Sequence, residues 1–177
     1  MRDEEKTTPE IGILIGSKSD LALVKKAEDI FSFFGVTWEI SVASAHRTPE
    51  DVVRYASRAK ERGIRVLVAA AGLSAALPGV VAAHTTLPVV GIPVNSGSVG
   101  GIDALLAVAQ MPPGVPVASV GIDGVKNAAL FAVRILALHR DDIAARLDEW
   151  SEKEKEAVRS VRKDLEGLPC PPEEAFS

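Results

Sequence analysis

Short apolar runs alternate with longer stretches of helical spacing through the first two thirds of the chain. The segments Ile11–Ile15, Trp38–Val42, Val66–Ala70, Val89–Ile92 and, approximately, Val117–Val120 have the length and apolar character of strands. After the first of them, Leu21, Val24, Ala27, Ile30 and Phe31 recur at three- and four-residue intervals until Gly35 offers a left-handed stop. After the second, Thr48, Pro49 and Asp51 read as N-cap, first helical residue and first-turn acid, which predicts a helix running to Gly63. Further helices are predicted near Ile102–Ala109 and Asn127–Leu138, and the last fifty residues carry no strand signal.

Strands that alternate with helices must pair in parallel through right-handed crossovers. The expected fold class is α/β: a three-layer α/β/α doubly wound parallel sheet, flavodoxin-like, in strand order 2-1-3-4-5. From Asp141 the sequence becomes charged and helical, with Ile143, Leu147, Trp150, Val158, Val161 and Leu165 as its apolar contacts. It is expected to be a C-terminal helical extension (141–177) on a core spanning 10–140, the whole forming one domain.

Composition refines this picture. Of 177 residues, 47% are hydrophobic and 25% charged, the balance of an ordinary globular domain. Between Val66 and Ile102 there is no Lys, Arg, Asp or Glu, but Gly72, Pro78, Gly79, Pro88, Gly91 and Pro93 punctuate the stretch, so it reads as strand, loop and helix and not as a membrane span. So much uncharged sequence predicts faces covered by further copies of the chain, a homo-oligomer. A net charge of -4 gives no broad attraction to nucleic acid or anionic membranes, so an anionic ligand must be held locally. The single cysteine, Cys170, excludes a disulfide scaffold and a multi-thiolate metal site, and it suits a reducing cytoplasm. The first ten residues lack the apolar core of a secretion signal.

Ligands of doubly wound sheets bind beyond the carboxyl ends of the strands, where strand order reverses. Three loops meet that requirement. Gly16-Ser17-Lys18-Ser19-Asp20 follows strand one and combines a glycine, hydroxyls and a helix start, which can surround a phosphate; Ser19 or Asp20 capping the helix is the plainer alternative. Its spacing matches neither a triphosphate-binding loop nor a dinucleotide fingerprint. Ser44-Ala45-His46-Arg47-Thr48 follows strand two. Arg47 offers a planar fork of donors for phosphate, and an imidazole such as that of His46 can take up and return a proton near neutral pH. The third loop, Ala71-Gly72-Leu73-Ser74-Ala75-Ala76-Leu77-Pro78-Gly79, is apolar and rich in backbone amides, able to approach a flat ring; Gly72 and Gly79 equally suit helix–strand packing. A fourth segment, Asn95 to Gly101, is suited to a lid or an intersubunit contact. His84 and His139 read as surface residues, and three dispersed histidines predict no metal site. Neither a nucleophile triad nor paired carboxylates appear.

The motifs GSKSD, SAHRTP, AGLSAALPG, QMPPGVPVASV and KNAAL, in this order from Ile11 to Leu138, resemble the N5-carboxyaminoimidazole ribonucleotide mutase and aminoimidazole ribonucleotide carboxylase family of purine biosynthesis. The resemblance implies a flavodoxin-like fold, an octamer with sites at subunit contacts, and neither metal nor organic cofactor. It further implies that Ser17, Ser19, Ser44 and Arg47 hold a ribonucleotide phosphate in the loop opened by Gly16, and that Asp20 holds the ribose hydroxyls. The backbone of Ala71, Gly72 and Leu73, with Ser74 beside them, would face the imidazole ring and its carboxylate. His46 would be the general acid and base, and Gln110 and Met111 would belong to the enclosing wall. Ala76 stands where the mutases of the family usually carry His, and Ser74 with Ala76 resembles the class that carboxylates aminoimidazole ribonucleotide directly. Arg47, by contrast, matches the mutases. The implied function is the mutase, with direct carboxylation, a paralogue acting on another nucleotide, or a non-catalytic nucleotide-binding module as alternatives.

Overall fold

The computed structural model describes residues 8–165 and 167–176. At its centre five parallel strands lie in the order β2-β1-β3-β4-β5, which is the predicted flavodoxin-like order. The strands are β1 (Ile11–Ile15), β2 (Trp38–Val42), β3 (Val66–Gly72), β4 (Val89–Val94) and β5 (Ala118–Ser119). In register, Ile13 of β1 lies between Ile40 of β2 and Val68 of β3.

The inner strands read as unbroken apolar runs because both faces are covered. Ile11, Ile13 and Ile15 of β1, with Val66, Val68 and Ala70 of β3, join one core with residues of α2 (Glu28–Phe34), α6 (Val125–Ala137) and α7 (Asp141–Ser160). Leu14, Leu67, Ala69 and Ala71 point the other way. They form a second core with α3 (Pro49–Arg58), α4 (Leu77–Ala83) and α5 (Ile102–Ala109). Two cores separated by one sheet make the three layers.

Several expectations are corrected. β3 runs on through Ala71 and Gly72, which pair with Pro93 and Val94 of β4, so the predicted third loop begins inside the sheet. β5 shrinks to two residues at the sheet edge, where Pro116 just ahead has no N–H to give a ladder. The helical stretch after β1 is broken into a 3-10 turn at Lys18–Asp20, α1 (Leu21–Val24), a second 3-10 turn at Lys25–Ala27, and α2. Both helix types keep the same apolar residues inward, which is why spacing alone did not separate them. Gly35 does take the left-handed stop, at φ 63°. α3 ends at Arg58 and not at Gly63, and Thr48 does not cap it with its side chain. α6 starts at Val125, two residues before the predicted Asn127.

The C-terminal extension exists as α7, but only its first half packs on the body. Ile143 is buried, and Leu147 and Trp150 lie against the same core. Trp150 meets Phe33 at 5.1 Å and Phe34 at 5.7 Å between ring centroids, and Arg146 donates to the Phe33 carbonyl at 3.0 Å. Beyond this cluster the helix outruns the body, and Val158, Val161 and Leu165, expected as contacts, are exposed. At its other end Arg140 bridges Glu10, at 2.9 Å, and Asp142.

On the opposite face Tyr55 of α3 reaches across β1 and donates to Glu39 of β2 at 2.7 Å, while Arg62 closes the group by pairing with Glu39. Gly12 makes this possible, since a Cβ there would lie 2.5 Å from the Tyr55 hydroxyl. Burial, reinforced by the hydrogen bond to Glu39, holds the phenol well above the ordinary tyrosine range. A value raised by folding contributes stability that is present below about pH 10 and lost as pH rises through the folded value. Tyr55 is the sole tyrosine, so ultraviolet titration reads it directly. Tyrosinate absorbance should be missing at about pH 10–11 in folded protein and should appear together with alkaline unfolding. A normal titration near pH 10 in folded protein would contradict this packing.

Candidate active site

The carboxyl ends of β1, β2 and β3 open into one cleft of about 440 Å³. Gly16, Ser17, Ser19, Asp20, Ser44, His46, Arg47, Ala71, Gly72 and Leu73 all line it, so these residues singled out from the sequence meet here. Ser74 does not; its side chain is exposed outside the lining. Ala45, Ala75, Ala76, Leu77 and Ser96 complete the wall. Gln110 and Met111, expected in the enclosure, are not part of it, and Met111 instead packs on Gly79 of α4.

The first loop is held by its own polar groups. Ser17 is the N-cap of the 3-10 turn: its backbone N–H donates to Asp20 Oδ2 at 3.1 Å, and its hydroxyl accepts from the Ser19 N–H at 3.4 Å. This reciprocal capping box, and not a cap by Ser19 or Asp20, starts the helical stretch. Asp20 also accepts from the Ser19 hydroxyl at 3.0 Å, and it is the only buried charged residue among the described residues. Removing its carboxylate strands two donors, which costs about 1–3 kcal/mol. Asp20→Ala should therefore lower the melting temperature by roughly 2–12 °C in thermal denaturation. An unchanged melting temperature would show that the loop does not depend on it.

The second loop is tied to the first. The Ser44 N–H donates to the Thr48 hydroxyl at 3.0 Å, and the Ser44 hydroxyl accepts from the Arg47 N–H at 3.3 Å. The guanidinium reaches over the loop to the Gly16 carbonyl at 3.3 Å. Thr48, turned back on Ser44, closes this loop; Pro49 has no N–H to offer, and the Asp51 N–H donates to the Thr48 carbonyl at 3.1 Å. Arg47 has no carboxylate partner among the described residues and sits beside the α3 N-terminus, so a guanidinium and a helix dipole of the same sign converge on one spot, which favours an anion. His46 is exposed to the cleft, and its ring has no hydrogen-bond partner among the described residues.

The third loop turns sharply at Leu73, a non-glycine residue at φ 56°, and the Ala75 N–H folds back on the Leu73 carbonyl at 2.8 Å. Ser96 belongs to the Asn95–Gly101 segment expected as a lid or an intersubunit contact, and it joins the cleft lining because β4 neighbours β3 and its carboxyl end borders the same rim. A Cβ on Gly72 would lie 2.5 Å from the Ser96 hydroxyl, so Gly72 serves close packing of these two loops. Among the described residues no group of three or more His, Cys, Asp or Glu could hold a metal ion, and no helix is long and apolar enough to cross a membrane.

A five-stranded flavodoxin-like sheet with one anion-seeking cleft at its strand crest defines the class. The AIR carboxylase family model matches residues 10–157, and the chain belongs to that family. It is 48% identical over 160 residues to the N5-carboxyaminoimidazole ribonucleotide mutase of Pyrococcus horikoshii, covering 90% of each chain. It is 49% identical over 152 residues to the mutase of the same name from Bacillus subtilis, covering 85% of this chain and 94% of that one. The crystal structure of Treponema denticola PurE superimposes with a TM-score of 0.79 at 31% identity, over 89% of this chain and 99% of that one.

Proposed function

We propose that the chain is an N5-carboxyaminoimidazole ribonucleotide mutase of purine biosynthesis, which moves a carboxyl group from the exocyclic nitrogen of its substrate to the ring carbon C4. One observation carries the reading: a titratable imidazole, free of other partners among the described residues, stands beside a guanidinium and a serine-lined loop in one cleft. Arg47, Ser17, Ser19 and Ser44 hold the phosphate, where the α3 N-terminus adds its dipole. Asp20 accepts from the ribose hydroxyls. Gly16 opens the phosphate loop, and Ala71, Gly72 and Leu73 present backbone to the base.

His46 begins protonated. The carbamate N–C bond breaks, the electron pair stays on nitrogen, and His46 gives that nitrogen its proton, leaving an amine and CO2. The enamine carbon C4 then attacks CO2, forming the new C–C bond and an iminium. Neutral His46 removes the C4 proton, aromaticity returns, and the imidazolium is regenerated. No oxidant, reductant or second substrate is consumed. The apolar wall of Ala71, Ala75, Ala76 and Leu77 limits water around the intermediate.

Ala76, lining the cleft where mutases of the family usually carry His, supports a second reading, direct carboxylation of aminoimidazole ribonucleotide. One assay separates them: purified protein is given either the carbamate or aminoimidazole ribonucleotide with bicarbonate, and ring-carboxylated product is measured. The mutase predicts rapid product from the carbamate; efficient use of the second mixture alone would transfer the assignment. Val99, Ile102 and Leu106 lie exposed on and just before α5, which supports assembly with further copies of the chain; the family resemblance makes that assembly a homo-octamer, and the lone Cys170 suits a cytoplasmic setting.

A further inference from the structure

The amino ends of the strands carry a second recess, at the pole of the sheet opposite the cleft. About 490 Å³ in volume, it opens where Glu10 leads into β1, Arg65 into β3 and Pro88 into β4, and it is bordered by the segments that follow α3 and α6. That volume lies within the range of about 300–1,000 Å³ found for small-molecule sites.

Its charges are one-sided. Lys60, Arg65 and His139 line it from three separate segments, and none of their side chains has an ion pair or hydrogen bond to another described residue. Glu10, the only acid in the lining, is already taken by Arg140, which donates to both its oxygens at 3.0 and 2.9 Å. Nor are the free cations needed to cap the helices beside them. The Lys60 and Ala59 carbonyls accept the Gly63 and Ile64 N–H groups at 3.1 Å, and the Leu136 carbonyl accepts the His139 N–H at 3.0 Å. On a chain of net charge -4, cations gathered from three segments into one recess make a local field that draws an anion. The rest of the wall is largely apolar, with Ile64, Leu87, Pro88 and Ile135 able to cover a ring.

We infer that this recess binds a phosphorylated ligand of mononucleotide size, its phosphate held by Arg65, Lys60 and His139 and its ring laid on Ile64, Leu87 and Pro88. Arg65 matches phosphate with a planar fork of donors, and Lys60 adds a point charge. The site is separate from the cleft and does not rest on the mutase reading.

Adenosine monophosphate serves as the probe, followed by calorimetry at low ionic strength. The measurement is made on Arg47→Ala protein, because the cleft is itself expected to take phosphate. That protein should still bind the nucleotide. Adding Arg65→Ser and Lys60→Ser should weaken the binding about tenfold or more, since charge-assisted bonds to the phosphate are lost. Both side chains are exposed, so the melting temperature should move by less than about 2 °C. Adenosine, which lacks the phosphate, and inorganic phosphate, which lacks the ring, should each bind at least about tenfold more weakly than the nucleotide. Absence of binding to Arg47→Ala protein, or binding that the two serine substitutions leave unchanged, would overturn the inference. Adenosine or inorganic phosphate binding as tightly as adenosine monophosphate would overturn it equally.

Discussion

Replacing His46 by asparagine should abolish carboxyl transfer while leaving the molecule otherwise intact. The amide matches the ring in size and polarity but cannot carry a proton between the exocyclic nitrogen and C4. General acid–base catalysis by one group contributes about 10²–10⁴ in rate, and in the proposed cycle the same imidazole serves both transfers, so kcat should fall toward the upper end of that range. Stability should change by less than about 0.5 kcal/mol, because the side chain is exposed and makes no hydrogen bond among the described residues. Nucleotide affinity, measured by calorimetry with aminoimidazole ribonucleotide, should hold, since the proposed phosphate contacts lie on Arg47 and the serines. Turnover near the wild-type rate would remove His46 from the mechanism.

The second large effect concerns the fold. Phe34→Ala should lower stability by about 3–5 kcal/mol, the cost of deleting a buried ring and leaving a cavity. Phe34 is fully buried, packs edge-on against Phe33 at 5.0 Å, and shares Trp150 with it. These rings join α2 to the first half of α7, so the loss is shared by two helices. At one fixed protein concentration the melting temperature should drop by roughly 6–20 °C. A drop under 2 °C would mean that the aromatic cluster is not what holds α7 to the body.

The architecture was largely legible because its causes are local. Two-sided burial writes itself as apolar runs, and the helical stretches between them leave parallel pairing as the only connection, so Ile11–Ile15 and Trp38–Val42 were placed to the residue. Edges were less legible. Whether β3 stops at Ala70 or continues to Gly72 depends on β4 lying alongside to accept its bonds, and whether Val158 packs depends on where the body ends under α7; neither is written in the segment itself. The cleft shows the same division. Its three loops follow from strand order, and the Ser17–Asp20 capping box has a sequence signature. Ser96 entered through a neighbouring strand, and the left-handed turn at Leu73 has no signature, since leucine is a residue the pattern assigns to a core. Gln110 and Met111 were placed by resemblance alone, and in the described structure they lie elsewhere.

The most direct test of the proposed chemistry follows the carboxyl carbon. Protein is given substrate labelled in its carbamate carbon, in buffer containing unlabelled bicarbonate, and the C4 carboxylate of the product is analysed by mass. If the carbon passes from nitrogen to C4 inside one closed cleft, most of the product keeps the label. Product carrying the unlabelled carbon of the buffer would contradict the account.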